Sequence, residues 1–372
     1  MERAVARRRG IALAALACLA IAAFACGATL GDGAEAPQPS AAETLPLKQL
    51  AGERIVVGLR GASISPGLRG AIGEGRVAGV VLFAENFPTR AAGKRLIARL
   101  QGIPRPPKLR DYPLLVMTDQ EGGLVKWLSG APTASAREMG SRGAAFSAQQ
   151  GRRTAANLRE VGVNVDLAPV LDVGRAGGVI AETERSFGAT AARVSATAIP
   201  FAKALQAGGV AATGKHFPGF GAARENTDFS VERIGLPKQE LRAVDEKPYS
   251  AFVAAGGSMV MLSTAIYPAF SSHPAAFTRS IATGELRRRL GFEGVTITDA
   301  LETPAVEHFG GPAQAAVAGA RAGADLLLYV KLDSAMAAWK ALVGKLRSGS
   351  LRRGGFELAA ERVLELRAEL PR

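Results

Sequence analysis

The chain has 372 residues, 48% of them hydrophobic, 21% charged and 6% aromatic, and a formal charge of +13. That composition builds a large globular core and excludes a disordered or fibrous chain. The basic residues are scattered, with no aromatic-interleaved basic run of the kind a nucleic-acid platform requires, so the charge reads as a solvated surface.

In chain order, Arg3, Arg7, Arg8 and Arg9 precede the apolar run IALAALACLAIAAFAC, which gives way to small and polar residues. A basic start, an apolar stretch and small residues at its end mark residues 1–30 as an export signal, with a retained membrane anchor as the alternative. The four Arg and one Glu there account for +3, which leaves +10 for the rest. Both cysteines, Cys18 and Cys26, lie in this stretch, so the body of the protein has no disulfide, cysteine nucleophile or cysteine metal site. Cys26 is a candidate lipid attachment point. Residues 31–50, beginning GDGAEAPQPSAAE, read as a flexible spacer, and 51–372 as one domain. The protein is expected outside the cytoplasm, in the envelope or beyond, with any membrane contact made only through the N-terminus.

Eight short apolar runs then recur: RIVVGL from 54, AGVVLF from 78, LLVMTD from 114, VNVDLA from 163, VAATGK from 210, SMVMLS from 258, VTITDA from 295 and ADLLLY from 324. Between most of them lie stretches with helical spacing, such as GKRLIARLQ, QGRRTAANLREVG and AQAAVAGARAGA. Continuously apolar strands alternating with helices predict a parallel sheet, and eight such units predict an α/β fold of the closed (β/α)8 barrel, TIM type. No dinucleotide-type glycine fingerprint follows the first strand, which argues against a Rossmann domain and gives no cofactor signal. The ending FELAAERVLELRAEL predicts an amphipathic cover helix.

In such barrels chemistry gathers at the C-terminal strand ends. The polar residues there are Asp119 and Glu121, Asp166 and Asp172, Lys215 and His216, Ser263 and Thr264, and Asp299. Carboxylates with one Lys and one His suit sugar-hydroxyl recognition and acid–base work. His273 and His308 stand alone in loops, so no metal site is expected.

Over residues 50–370 the chain resembles family 3 glycoside hydrolases, specifically the single-domain bacterial β-N-acetylhexosaminidases. The segments that carry the likeness are MTDQEGGLV from 117, LAPVLDVG from 167, ERSFGA from 184, KHFPGFG from 215, MLSTAIYPA from 261 and GFEGVTITDAL from 291. The resemblance implies Asp299 as the catalytic nucleophile of a retaining mechanism, and Asp119, Arg185, Lys215 and His216 as saccharide-binding residues. The competing reading of Asp299 is a helix N-cap. Two departures stand out. The family continues DQEGG with a substrate-contacting arginine, and here that residue is Leu124. Its acid/base pair, a His in the Gly-x-Gly of the strand-five loop and a following Asp, is Phe220 and Ala222 here. Glu225 and Asp228, farther along the loop, are the candidate replacements, in an apolar setting beside Phe220 and Phe229. Leu124 and Phe220 together are expected to make the site more apolar than the family pattern. The expected function is an exported glycosidase acting on β-linked N-acetylhexosamine or glucose-type saccharides; the alternative is a saccharide-binding pseudo-enzyme.

Overall fold

The computed structural model describes residues 39–371, so the expected export signal, Cys26 and most of the spacer lie outside the described residues. The packed body begins earlier than residue 51. Ala42, Leu45 and Leu50 are buried, and a short helix runs Leu47–Gly52.

All eight expected strands form. They are β1 Ile55–Gly58, β2 Gly79–Leu82, β3 Leu115–Thr118, β4 Val165–Asp166, β5 Ala211–Phe217, β6 Met259–Leu262, β7 Val295–Thr298 and β8 Leu327–Tyr329. From β1 to β7 each pairs in parallel with the next in sequence, and β8 pairs with β1 through Ile55↔Leu327, Val56↔Leu328 and Val57↔Tyr329. A bridge from Ile297 to Leu326 joins β7 to β8 and closes the barrel. Every residue of these strands is buried, which is why they read as continuous apolar runs instead of alternating ones.

The helices around the barrel include α1 Pro66–Gly73, α2 Arg90–Gln101, α3 Ala144–Val161, α4 Ala191–Ala207, α5 Lys247–Ala254, α6 Gly311–Ala322, α7 Leu332–Arg347 and α8 Arg353–Glu369. Several start on side-chain caps legible in the sequence: Ser65, Thr89 and Thr190 accept from the backbone N–H three residues on. The segment Ser280–Arg289 is wound as a π-helix, whose buried Glu285 accepts from Arg242 at 2.7 and 3.0 Å. Among the described residues no helix is long and apolar enough to cross a membrane.

The barrel interior holds Val56, Val81, Met117, Leu167, Met261, Ile297 and Leu328, packed together with Val363, Leu366 and Leu370 of the C-terminal segment. Helix α8 therefore plugs the barrel's N-terminal end. Its buried Arg367 donates to the carbonyl of Pro113 at 2.9 Å, just before β3, and pairs with Glu53, just before β1. With that end sealed, the opening of the barrel is at the C-terminal strand ends.

Candidate active site

A cavity of about 390 Å³ opens there, lined by Asp119, Arg185, Lys215, His216, Asp228 and Asp299, all singled out in the sequence. Asp119 follows β3, Lys215 and His216 stand on β5, and Asp299 follows β7. Arg185 comes from the loop after β4, where Glu184 adopts φ 59°, an uncommon backbone state for a residue with a side chain.

Four charges tie one wall together. Lys215 Nζ lies 2.6 Å from Asp119 Oδ1 and 2.7 Å from Glu121 Oε1. Arg185 meets Glu121 in a fork, Nε and Nη2 each donating at 2.8 Å. Burial disfavours an ionised Glu121, but Arg185 and Lys215 outweigh it and hold the carboxyl down at about 2. Lys215 is likewise penalised by burial and rescued by Asp119 and Glu121, so its ammonium is held above the usual lysine range. The site therefore presents fixed charges in a network that is neutral overall. Glu121, placed at a strand end by the sequence, had no assigned role there. Its signal was the carboxylate two residues after Asp119, but its partner Arg185 is 64 residues away in sequence.

The second wall is built from the loop after β5. Asp172, fully buried, takes the backbone N–H groups of His216 at 3.1 Å and Phe220 at 2.7 Å on Oδ1. Its Oδ2 lies 2.8 Å from His216 Nδ1. The rings of His216 and Phe220 meet edge-to-face with centroids 5.6 Å apart. Phe220 thus occupies the cavity wall beside the histidine and carries no proton. The turn is compact because Gly219 and Gly221 leave room: a Cβ at Gly221 would lie 1.8 Å from the carbonyl oxygen of Val173.

The two candidate replacement acids part here. Asp228 lines the cavity, at its solvent-open rim, together with Asn226 and Thr227. Partial desolvation and then the negative charge of Asp299 push its carboxyl above the usual aspartate range; the open rim keeps that effect modest. Glu225 is exposed and does not line the cavity. The apolar setting comes in part from a residue expected to provide it, Phe220, which lines the cavity. Phe229 is 82% exposed and Leu124 75% exposed, both outside the lining. Beside Phe220, the apolar surface includes Val81, Phe83, Val125, Trp127, Met261 and Leu328. Arg60, from the loop after β1, completes the mouth; it was not anticipated, being an ordinary surface arginine in sequence.

Asp299 is half-buried, its Oδ1 accepting the N–H of Ala300 at 2.8 Å. It caps no helix: the next one begins at Pro304, after Thr303. Among the described residues it makes no ion pair, and no group of three His, Cys, Asp or Glu residues is placed to hold a metal ion.

The profile of the glycosyl hydrolase family 3 N-terminal domain matches residues 48–366. A secreted glycosyl hydrolase of Arthroderma benhamiae, described as uncharacterized, is 36% identical over 86% of this chain and 93% of its own. A beta-hexosaminidase of Xylella fastidiosa is 31% identical over 78% of this chain and 87% of its own. Among solved structures, a beta-N-acetylhexosaminidase from Beutenbergia cavernae superposes with a TM-score of 0.80 at 31% identity, covering 87% of this chain and 98% of that one. A family 3 beta-N-acetylglucosaminidase from Paenibacillus superposes with a TM-score of 0.82 at 31% identity, covering 88% of this chain. This chain spans 63% of the Paenibacillus enzyme, less than two thirds.

Proposed function

This chain belongs to glycosyl hydrolase family 3, and from that premise we propose that it is an exported, retaining glycosidase of β-linked N-acetylhexosamine or glucose-type residues, with Asp299 as nucleophile and Asp228 as general acid/base. The observation that carries the proposal is the pairing of these two carboxyls in one cavity. Asp299 is left out of the ion-pair network, and its negative charge helps favour the protonated form of Asp228. A carboxylate nucleophile beside a carboxyl whose acid form is favoured by its surroundings is the division of labour retaining hydrolysis needs.

In the first step the Asp299 carboxylate attacks the anomeric carbon. The glycosidic C–O bond breaks, and the departing oxygen takes the proton of Asp228. In the second, the Asp228 carboxylate accepts a proton from water as that water attacks the anomeric carbon and releases Asp299. Asp119, Lys215, His216 and Arg185 are the saccharide-binding set. Lys215 and Arg185 are held in fixed positions by Glu121, so they bind without first having to be ordered. Export is supported by residues 1–30 and by the secreted relative.

The test is turnover of 4-nitrophenyl N-acetyl-β-glucosaminide and 4-nitrophenyl β-glucoside by the wild type and by Asp299→Ala. Nitrophenolate leaves with little acid assistance, so this assay isolates nucleophile and pocket from the acid. Activity in the wild type that vanishes in the variant supports the proposal. No turnover of either substrate by the wild type would overturn it and leave a saccharide-binding barrel.

A further inference from the structure

The two oxygens of Asp172 have separate tasks. Oδ1 takes both backbone amides, of His216 and Phe220, while Oδ2 lies 2.8 Å from Nδ1 of the His216 ring, with the Tyr249 hydroxyl also neighbouring this carboxylate. A carboxylate offers acceptors alone, so the 2.8 Å contact at Nδ1 requires the proton to sit on that nitrogen. The Asp172 side chain is fully buried and that of His216 is 10% exposed. Nε2 lies on the ring edge remote from Asp172, and His216 lines the cavity.

We propose that Asp172 is a positioning residue that fixes His216 as the Nδ1–H tautomer, so that Nε2 reads a saccharide hydroxyl as a hydrogen-bond acceptor. The proposal rests on the glycosidase reading for the identity of the ligand, but the tautomer itself does not depend on it. The consequence is selectivity of a defined kind. The neighbouring cations Lys215 and Arg185 can only donate, and they therefore accept any lone pair on the sugar. His216 in this tautomer requires a group that brings its own proton. A hydroxyl satisfies it, whereas a hydrogen or an ether at the same carbon leaves Nε2 without a partner, at the usual penalty for an unmade hydrogen bond. The same carboxylate also holds the N–H of Phe220, so the tautomer and the position of the aromatic wall are set by one side chain.

Asp172→Asn separates these tasks. Its carbonyl oxygen can keep both backbone amides, while its NH₂ replaces Oδ2 and donates to Nδ1, driving the ring proton to Nε2. The readout is the nitrogen spectrum of ¹⁵N-histidine-labelled protein. The chain has three histidines, and His273→Gln and His308→Gln variants identify the His216 resonances. The wild type should carry the proton on Nδ1 and Asp172→Asn on Nε2. In parallel, 3-, 4- and 6-deoxy versions of the accepted 4-nitrophenyl glycoside should show one position at which the wild type loses about 10- to 100-fold in kcat/KM. That discrimination should collapse in His216→Ala at the same position; in Asp172→Asn, whose Nε2–H donates instead, the O-methyl ether at that position, rejected by the wild type, should be accepted while the deoxy sugar is still penalised. A wild-type ring protonated on Nε2, an unchanged tautomer in Asp172→Asn, or the same ranking of hydroxyl, ether and deoxy sugar in the wild type and Asp172→Asn would overturn the proposal. If Asp172→Asn does not fold, the wild-type tautomer alone decides. If no glycoside is turned over, the glycosidase reading fails while the tautomer still tests Asp172.

Discussion

Replacing Glu121 by Gln should cost about 3 kcal/mol of stability at pH 7, and that cost should shrink in acid. Two routes give the magnitude. Glu121 is buried and its pKa falls from 4.5 to about 2 on folding. At 1.36 kcal/mol per unit, a displacement of roughly 2.5 units is worth about 3 kcal/mol. Independently, removing one partner of a buried ion pair usually costs about 3–5 kcal/mol, because it strands the remaining charge. Here Arg185 and Lys215 would be left with Asp119 as the sole counter-charge among the four. The sign follows from linkage. A carboxyl whose folded pKa is depressed contributes its full stability above the unfolded pKa and loses it as pH falls toward the folded value. By pH 3 the contribution should have dropped to about 1 kcal/mol. The assay is urea unfolding of wild type and Glu121→Gln at pH 7, 5, 4 and 3, with the difference taken at each pH so that other titrating groups cancel. A gap below about 1 kcal/mol at pH 7, or one that stays constant down to pH 3, would refute the reasoning.

Asp228→Asn should slow hydrolysis of an unactivated disaccharide about 10²- to 10⁴-fold while changing the 4-nitrophenyl rate far less; Glu225→Gln should leave both rates within about twofold, since its carboxyl lies outside the cavity. Equal effects of the two substitutions on the disaccharide would remove Asp228 from its role. Gly221→Ala should destabilise by about 1–3 kcal/mol, because its Cβ would strike the Val173 carbonyl. Gly344→Ala, with open space at its Cβ inside α7, should stabilise by up to about 1 kcal/mol. Denaturation midpoints of the two variants check both.

The barrel was legible in the sequence because strands buried on both faces leave uninterrupted apolar runs, and all eight such runs became strands. The cover role of FELAAERVLELRAEL was legible for a related reason: a helix whose Val363, Leu366 and Leu370 must be buried has only the open barrel end to fill. The strand-end positions of Asp119, Lys215, His216 and Asp299 followed from the barrel. What the sequence could not convey was side-chain direction in loops. Leu124 and Phe229 are apolar neighbours of site residues in the chain, yet both point to solvent. Glu225 and Asp228 differ by three positions and share the same chemistry; the Asn226–Asp228 turn, in which the Asp228 N–H donates to Asn226 Oδ1 at 3.0 Å, accompanies the placement of only the second in the cavity lining. Glu121 and Asp172 were visible as carboxylates, but their importance lies in partners 64 and 44 residues away in sequence.

Those partners divide the charges of the cavity into two groups with different uses. Asp119, Glu121, Arg185 and Lys215 neutralise one another at distances of 2.6–2.8 Å, so none of them is free to move a proton or to attack carbon. Asp299 and Asp228 stand outside that network, both lining the cavity, and the charge of Asp299 favours the acid form of Asp228. A site in which binding groups are locked and reacting groups are left unpaired can tolerate Phe220 where a proton carrier would otherwise stand. The wall then needs only shape from that residue, and the proton can come from Asp228 across the same cavity. The kinetic signature of that arrangement is a strong dependence of the Asp228→Asn defect on leaving-group basicity, with an Asp299→Ala defect that is independent of it.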